Sequence, residues 1–309
     1  MAMGDRVFVA FLGSAVAKSR FAAFRMGHEW LAFVKMSRLL TAAGAIVDRI
    51  KINSLTREMR DGRAVWIKRR RVTAGPIMAL ANGFFRVVGN PVRALIDRAE
   101  WQRWEVDCFL QFHGENYRAF RDGHHSVAAD ELPGRSLSQH LDAGTITEEM
   151  LAAAAREMRR AHEWRGAAFD GAAWSHGDPH SGNFIYDPTE NRARLIDFEV
   201  MHRAALSADE RHADDLLVLL QDVMGRIAAD RWLPCASAFL QTYDRPEIIA
   251  LLAPRLVPPR GLARIWWAVR TTYVPSAKLA RRLAELRASL PATERISHDD
   301  PLPHGSATE

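Results

Sequence analysis

The chain has 309 residues, of which 48% are hydrophobic and 26% charged, with a formal net charge of +5 and two cysteines. This composition is ordinary for a soluble globular protein, and the length predicts one large domain or two lobes. Cys108 and Cys235 fit neither a metal-binding spacing nor a disulfide framework. They therefore exclude a disulfide-stabilised scaffold and favour a reducing compartment, the cytoplasm.

The charge is unevenly distributed along the chain. Residues 1–75 hold 15 Lys/Arg and 5 Asp/Glu, a net +10, whereas the remainder holds 27 and 32, a net −5. A basic first part indicates an anionic ligand or surface nearby, although a solvated arginine-rich surface is the alternative. The run Arg69-Arg70-Arg71 is more typical of a solvated edge than of a nucleic-acid patch, so no nucleic-acid partner is expected.

Residues 7–17 form an apolar run whose end, Ala15-Val16-Ala17, imitates a signal peptide. The usual positive start is missing, because Asp5 stands beside Arg6. The run is also too short to span a bilayer. Secretion is therefore not predicted.

Residues 20–40 have a helical period, with Trp30 and Phe33 on one side and Arg25 and Lys35 on the other. Such a basic amphipathic helix can lie on an anionic membrane surface. The alternative is that it docks on its own domain, which is the more common arrangement for such a helix, and the sequence leaves both interpretations open. The first implies a cytoplasmic protein with peripheral contact at the inner face of the cytoplasmic membrane.

The next segments begin with strand signals and continue with a helix. Residues 49–71 predict two short strands joined by a polar turn that ends at Asp61-Gly62. Residues 90–114 predict a long helix that begins near Pro91.

The second half alternates helices with a hairpin. Residues 126–141 predict a strand, a Pro-Gly turn and a helix, and residues 145–164 a helix with Thr147 as its N-cap. Residues 184–187 and 193–199 predict a hairpin. Helical patterns follow over 208–227 and 230–290, and the tail is polar.

This order of elements predicts an α+β protein with a small strand-rich lobe, a larger helical lobe and a hinge-like segment at 129–135. The expected division is an N-terminal extension 1–44, an N-lobe 45–128, a C-lobe 129–290 and a disordered tail 291–309.

The stretch WSHGDPHSGNFIYD, residues 174–187, concentrates polar side chains that suit phosphoryl transfer. Such a site must orient an attacking hydroxyl and neutralise phosphate charge. Asp178 can orient the hydroxyl as a base, and Asn183 can bind a metal. Asp197, near the end of the hairpin's second strand, returns to the same place as a second metal ligand. Oxygen ligands of this kind suit Mg²⁺, with Mn²⁺ as the alternative.

A lysine for the nucleotide phosphates is available at the end of VWIK, where Lys68 follows the strand-borne pattern of kinases. Glu105 on the long helix can pair with it. Glu100 lies on the same helix, and only the helical phase favours Glu105.

Taken together, these motifs resemble the protein-kinase-like superfamily on its atypical bacterial side. HGDPHSGN (176–183) is similar to the catalytic loop of aminoglycoside and choline kinases, RIO-type kinases and the Kdo/heptose lipopolysaccharide kinases. LIDFE (195–199) resembles their metal-binding segment and ADELPGRSL (129–137) their hinge. The resemblance covers roughly residues 45–225.

The resemblance implies a two-lobed protein-kinase-like fold and ATP as the phosphate donor. It implies that Asp130, Glu131 and Leu132 of the hinge bind the nucleotide. It also implies that Asp215, with Asp214 as competitor, braces the catalytic loop, and that His176 supports this loop within the catalytic site.

Three departures from the family pattern bear on function. No glycine-rich loop precedes Lys68, and the corresponding place, residues 51–58, offers Ser54 or Thr56 to the phosphates. Glu199 replaces the glycine of Asp-Phe-Gly. Only about ten residues separate Glu199 from the next helix, too few for a phosphorylated activation loop or a peptide platform. The acceptor is therefore expected to be a sugar, a lipid or another small molecule.

The leading hypothesis is an ATP-dependent kinase acting on a hydroxyl of a lipopolysaccharide-core sugar or similar glycolipid. An aminoglycoside-like small-molecule kinase and a protein kinase are the alternatives within this class. A catalytically inactive kinase-like binding protein is the alternative of another class, which the missing glycine-rich loop would permit. Zinc held by His176, Asp178 and His180 is a further interpretation, in which Asn183 would be idle.

Overall fold

The computed structural model describes residues 52–166, 171–271 and 273–290. The predictions for the apolar run 7–17, the amphipathic helix 20–40 and the tail 291–309 lie outside the described residues and stay predictions. The division into domains likewise stays a prediction.

A four-stranded antiparallel sheet in the order β1-β2-β5-β4 forms the first lobe. The predicted hairpin is present, since β1 and β2 pair in antiparallel fashion. The two residues of its turn, Asp61 and Gly62, adopt φ values of 51° and 74°. Positive φ at both turn residues matches the twist of two antiparallel strands. The strands are β1 (Asn53–Arg60), β2 (Arg63–Arg70), β4 (Ala119–Arg121) and β5 (Ser126–Asp130).

The segment after β2 differs from the sequence prediction. A helix, α1 (Ala74–Val87), comes first, and a short strand, β3 (Val92–Ala94), follows it. The predicted long helix is α2 (Arg98–His113), which begins at Arg98 and not near Pro91. Asp97 sets this start, since its side chain accepts a hydrogen bond of 2.7 Å from the backbone N–H of Glu100.

The first part of the helical lobe matches its prediction more closely. Thr147 caps α4 as expected, because its hydroxyl accepts a hydrogen bond from the N–H of Met150 at 3.2 Å. A three-stranded sheet, β6-β7-β8, lies beside these helices. The elements are β6 (Arg135–Ser136), α3 (Leu137–Asp142), α4 (Glu148–Glu163), β7 (Phe184–Asp187) and β8 (Arg192–Leu195).

The second strand of the hairpin is shorter than expected. It ends at Leu195, and Asp197 leaves the extended conformation with a φ of 68°. The chain then enters β9 (Val200–His202), which pairs antiparallel with β3. The expected strand 193–199 is therefore wrong in its last four residues, and Asp197 lies in the irregular segment between β8 and β9.

The remaining helices surround α5, whose central residues are almost all buried. Its apolar side chains join the largest hydrophobic cluster, which also contains Trp174 and Phe198. The predicted α+β architecture with a small strand-rich lobe and a larger helical lobe is confirmed. Within the described ranges, no helix has the length and apolarity needed to cross a bilayer. The helices are α5 (Ala208–Arg226), α6 (Trp232–Tyr243), α7 (Pro246–Leu252), α8 (Ala263–Arg270) and α9 (Ser276–Ser289).

Candidate active site

Lys68 stands on β2 at the centre of a cluster of carboxylates. Its Nζ lies 2.5 Å from Asp197 Oδ1, 3.2 Å from Glu105 Oε1 and 3.4 Å from Glu199 Oε2. Burial alone would lower the pKa of Lys68, but these three negative charges raise it above its usual value. The lysine therefore carries its positive charge throughout the physiological pH range.

The helix α2 supplies the second member of this cluster. Burial raises the pKa of Glu105, while the charge of Lys68 opposes the shift. Glu100, the competing candidate, instead pairs with Arg93 at 3.2 Å near the surface. Asp97 fixes the start of α2 and hence the helical phase, which turns Glu105 toward Lys68.

Glu199 belongs to the same cluster, which the sequence did not reveal. It accepts a hydrogen bond of 2.6 Å from Asn53 Nδ2 and lies 3.6 Å from Arg70. Arg70 is buried, donates to the carbonyl of Leu95 at 2.6 Å and stacks 4.1 Å from the Trp101 ring. The prediction of a solvated edge is therefore wrong for Arg70.

The position of Arg70 could have been predicted from the alternation of side chains along a strand. Residues two apart in a strand share a face, so Arg70 lies on the same face as Lys68. Ser54 lies on the opposite face, because it pairs with Arg69 across the hairpin while Leu55 pairs with Lys68. The expectation that Ser54 contacts phosphate beside Lys68 is therefore not met. Residues 53–58 form strand β1 and not a phosphate-binding loop.

Asp178 lies in the loop before β7, where its side chain keeps 24% of its exposure. Its carboxylate is 3.9 Å from His180 Nε2, beyond hydrogen-bond distance. Burial raises the pKa of Asp178 to about 8; Arg270 lowers it, and the charge of Asp197 adds to the rise. A carboxylate in such surroundings can take up a proton near neutral pH.

Asp215 on α5 holds the backbone of this loop. Its carboxylate accepts hydrogen bonds of 2.8 Å from the N–H groups of both His176 and Gly177. His162 Nε2 lies 3.0 Å from the same carboxylate. Burial alone would raise the pKa of Asp215, but the surrounding histidines hold it below its usual range. Asp214, its competitor, contacts His202 Nε2 at 3.2 Å and not the loop backbone.

His176 joins the loop to the segment that carries Asp197. Its Nδ1 accepts from the N–H of Asp178 at 3.3 Å, and Nε2 donates to the carbonyl of Ile196 at 3.1 Å. Burial lowers the pKa of His176, which matches a neutral ring. With both ring nitrogens engaged, His176 is not available to zinc. Among the residues that the structure describes, no group of three metal-binding side chains of the His, Cys, Asp and Glu types occurs.

Asn183 and Asp197 are brought together through the backbone. The amide of Ile196 donates to the carbonyl of Asn183 at 2.9 Å, and Asn183 Nδ2 donates to the carbonyl of Asp178 at 2.9 Å. The amide oxygen of Asn183 is thus left for another partner. An amide oxygen and a carboxylate fit Mg²⁺, which binds few protein ligands and keeps water and phosphate oxygens.

The side chains of the expected hinge are engaged with arginines. Asp130 accepts from the N–H of Arg118 at 2.9 Å and from Arg63 at 3.1 Å. Glu131 pairs with Arg57 at 2.8 Å, and Leu132 is buried. Their backbone N–H groups also donate to the carbonyls of Arg118 and Ala64, each at 2.8 Å. Any contact of Asp130 and Glu131 with a nucleotide would therefore have to come mainly from their backbone carbonyls.

The strand lysine, the helix glutamate, the loop and the following hairpin that the motifs predict meet in the expected order. Two solved structures are similar to the chain. The ethanolamine kinase of Plasmodium vivax is 11% identical, with a TM-score of 0.42, over 86% of this chain and 89% of that one. The bifunctional kinase-methyltransferase WbdD is 17% identical, with a TM-score of 0.38, over 80% of this chain and 49% of that one. The chain thus spans about half of WbdD. No family model matches the chain, and no curated protein matches it in sequence.

Proposed function

We propose that the protein is an ATP-dependent phosphotransferase that acts on a hydroxyl of a non-protein acceptor. One observation carries this proposal: the carboxylates of Glu105 and Asp197 both lie within 3.2 Å of Lys68 Nζ. They come from a strand, a helix and an irregular segment that are far apart in the chain. A purely structural ion pair needs only one carboxylate, whereas a phosphoryl-transfer site needs a held lysine and metal-binding oxygens together.

Lys68 binds the nucleotide phosphates as a positive charge, and Glu105 keeps its ammonium group in position. Asn183 and Asp197 supply oxygen ligands for Mg²⁺, with Mn²⁺ as the alternative. The metal ion, when bound, neutralises phosphate charge and lowers the pKa of nearby carboxylates. The backbone carbonyls of Asp130 and Glu131 and the backbone of Leu132 hold the nucleotide base.

Asp178 orients the acceptor hydroxyl and, in its ionised form, accepts its proton. His176 and Asp215 act through the backbone of the loop, since they contact backbone atoms and leave the carboxylate of Asp178 open. These two residues therefore position the base and do not react themselves.

A small acceptor fits the short connection after the metal-binding segment. Strand β9 begins directly after Glu199, and α5 begins at Ala208. This connection is too short for a peptide platform, which argues against a protein acceptor. We propose a lipopolysaccharide-core sugar or similar glycolipid as the acceptor, with an aminoglycoside-like substrate as the second candidate.

The glycolipid proposal includes peripheral contact with an anionic membrane on its cytoplasmic face. The segment 20–40, which the sequence predicts to be an amphipathic helix, is the main candidate for this contact. Helix α1 adds apolar surface, since Leu80 and Val87 are 77% and 65% exposed. Large exposed apolar side chains beside arginines are typical of interfacial surfaces.

The test is release of ADP from Mg²⁺-ATP with glycolipids, aminoglycosides and a generic protein as separate acceptors. Transfer to glycolipid that is lost in Asp178→Asn is expected. Nucleotide binding without transfer to any acceptor would instead support the inactive binding protein.

A further inference from the structure

Arg270, the last residue of α8, brings a positive charge to the catalytic loop. It is only 8% exposed, and its Nε donates to Gln221 Oε1 at 2.7 Å. Gln221 precedes Asp222 on α5, and Asp222 accepts a hydrogen bond of 3.1 Å from the N–H of Ser181 in the loop. Arg270 is therefore anchored on the same stretch of α5 that holds the loop.

The chain just after α8 is fixed on the same helix. Tyr273 packs so closely on Gly225 that a Cβ at position 225 would lie 2.3 Å from Tyr273 Cε2. Gly225 stands one turn after Gln221 on α5. Two contacts one turn apart thus determine where the end of α8 lies, and the Arg270 guanidinium occupies a defined position.

Burial raises the pKa of Asp178, and Arg270 is the main cation that opposes this rise. Its charge also lowers the pKa of Asp214. Of the five N–H donors of a guanidinium, only Nε donates to any of the residues described here. The other four are left for a ligand.

We propose that Arg270 forms an anion-binding subsite for the acceptor beside the catalytic loop, so that the acceptor carries a carboxylate or a phosphate group. This inference rests on the proposed function and extends it. A guanidinium binds carboxylate and phosphate through two parallel hydrogen bonds. An acceptor with an amine at this place would meet repulsion. The subsite therefore favours an acidic sugar over an aminoglycoside.

Three sugars of one ring type and different charge test the subsite: glucuronate, glucose and glucosamine. Their binding to the protein loaded with Mg²⁺-ADP is measured by ligand-observed NMR titration at pH 7. A charge-assisted hydrogen bond changes affinity by roughly 10- to 100-fold. We expect glucuronate to bind about tenfold or more tightly than glucose, and glucosamine to bind most weakly.

Variants of Arg270 test whether this residue causes the preference for glucuronate. Arg270→Gln should bring glucuronate down to the affinity of glucose, and Arg270→Lys should keep part of the preference because it keeps the charge. Arg260→Gln removes an exposed arginine shortly before the same helix and should change nothing. Thermal unfolding of each variant separates loss of the subsite from loss of the fold, and the arginine-to-lysine variant keeps the test valid if the glutamine variant does not fold.

Several outcomes would overturn the subsite. These are equal binding of the three sugars, binding of none, an unchanged preference in Arg270→Gln, or a loss of Mg²⁺-ATP affinity in that variant. The last would mean that Arg270 serves the nucleotide. Release of ADP is recorded separately and reports the proposed function. Charge-dependent sugar binding without release of ADP would support the anion-binding subsite and contradict the proposed phosphotransferase activity.

Discussion

Lys68 Nζ lies 2.5 Å from Asp197 Oδ1, although 129 positions separate the two residues in the chain. The lysine neutralises the carboxylate that is proposed to bind the metal. A metal ion at Asp197 must therefore share this carboxylate with Lys68, while Glu105 and Glu199 keep the lysine within reach. Binding of Mg²⁺-ATP should depend strongly on both residues.

Replacement of Asp197 by alanine should weaken the affinity for Mg²⁺-ATP, because it removes a metal ligand and leaves Lys68 with fewer anionic partners. Isothermal titration calorimetry measures the dissociation constant directly. Asp244→Asn, an exposed change away from the cluster, serves as the control. Unchanged affinity in Asp197→Ala would remove this residue from the metal site.

Replacement of Asp178 by asparagine should abolish transfer and leave nucleotide binding nearly intact. The amide cannot accept the proton of the acceptor hydroxyl, and general-base catalysis contributes about 10²- to 10⁴-fold. Steady-state rates with the best acceptor and calorimetry with Mg²⁺-ATP measure the two effects. A variant that keeps more than half of the wild-type rate would refute the role of base.

Replacement of Asp215 by asparagine should destabilise the fold and impair transfer together. The change removes a buried charge that holds His162 and the N–H groups of His176 and Gly177. Loss of one member of a buried charged network costs about 3–5 kcal/mol. Urea unfolding measures the free energy of unfolding. Asp209→Asn, exposed on the same helix, is the matched control, and equal stability of the two variants would contradict the bracing role.

The stability of the protein should fall as the pH drops below about 6.5. Burial lowers the pKa of His212 to about 3 and that of His113 to about 4. The unfolded chain therefore binds protons on these residues at a higher pH than the folded protein does. Each contributes stability above its unfolded pKa and loses it as the pH falls toward its folded pKa.

A comparison of two histidine variants checks this pH dependence. His212 stacks 3.9 Å from His162 inside the helical lobe, whereas His124 is exposed. Between pH 7 and pH 5, His212→Gln should reduce the loss of unfolding free energy by about 2 kcal/mol. His124→Gln should leave it unchanged. Identical pH profiles of the two variants would show that His212 is not the acid-sensitive group.

Deletion of residues 1–41 tests where the protein acts. If the amphipathic helix is interfacial, the truncated protein should keep its turnover with a soluble acceptor and lose activity on a membrane-embedded one. Each basic residue near an anionic surface contributes about 1 kcal/mol, an attraction that salt screens. Co-sedimentation with anionic vesicles at low and high salt measures this contact.

The deletion also separates the two interpretations of the helix. Aggregation or unfolding of the truncated protein would indicate that the helix docks on its own domain. A folded, fully active truncation, with no vesicle binding by either form, would contradict membrane contact.

The sequence was most informative where a site residue lies close to its partners in the chain. Asp178 and Asn183 stand in one loop, so their spacing alone suggested joint chemistry, and the hairpin that follows carries Asp197 back to them. Helical phase similarly favoured Glu105 over Glu100.

Contacts between distant segments could not be predicted in this way. The hydrogen bond from Asn53 to Glu199 joins residues 146 positions apart, and no local sequence pattern predicts it. Ser54 was misplaced because the register of the hairpin, which decides its face, depends on pairing across the turn. Arg270 was missed because it lies in a helical region whose packing on α5 is not visible in a periodic pattern.

The pairing of β3 with β9 limits how the two lobes can move. Beyond the strands themselves, Leu95 N–H donates to the carbonyl of Glu199 at 3.2 Å, and Arg203 N–H donates to that of Pro91 at 2.8 Å. Helix α2 begins three residues after Leu95, so the helix that carries Glu105 is tied to the segment that carries Asp197. An outward movement of α2 would require breaking these backbone hydrogen bonds. A protein built in this way is expected to keep Lys68, Glu105 and Asp197 together whether or not a ligand is bound.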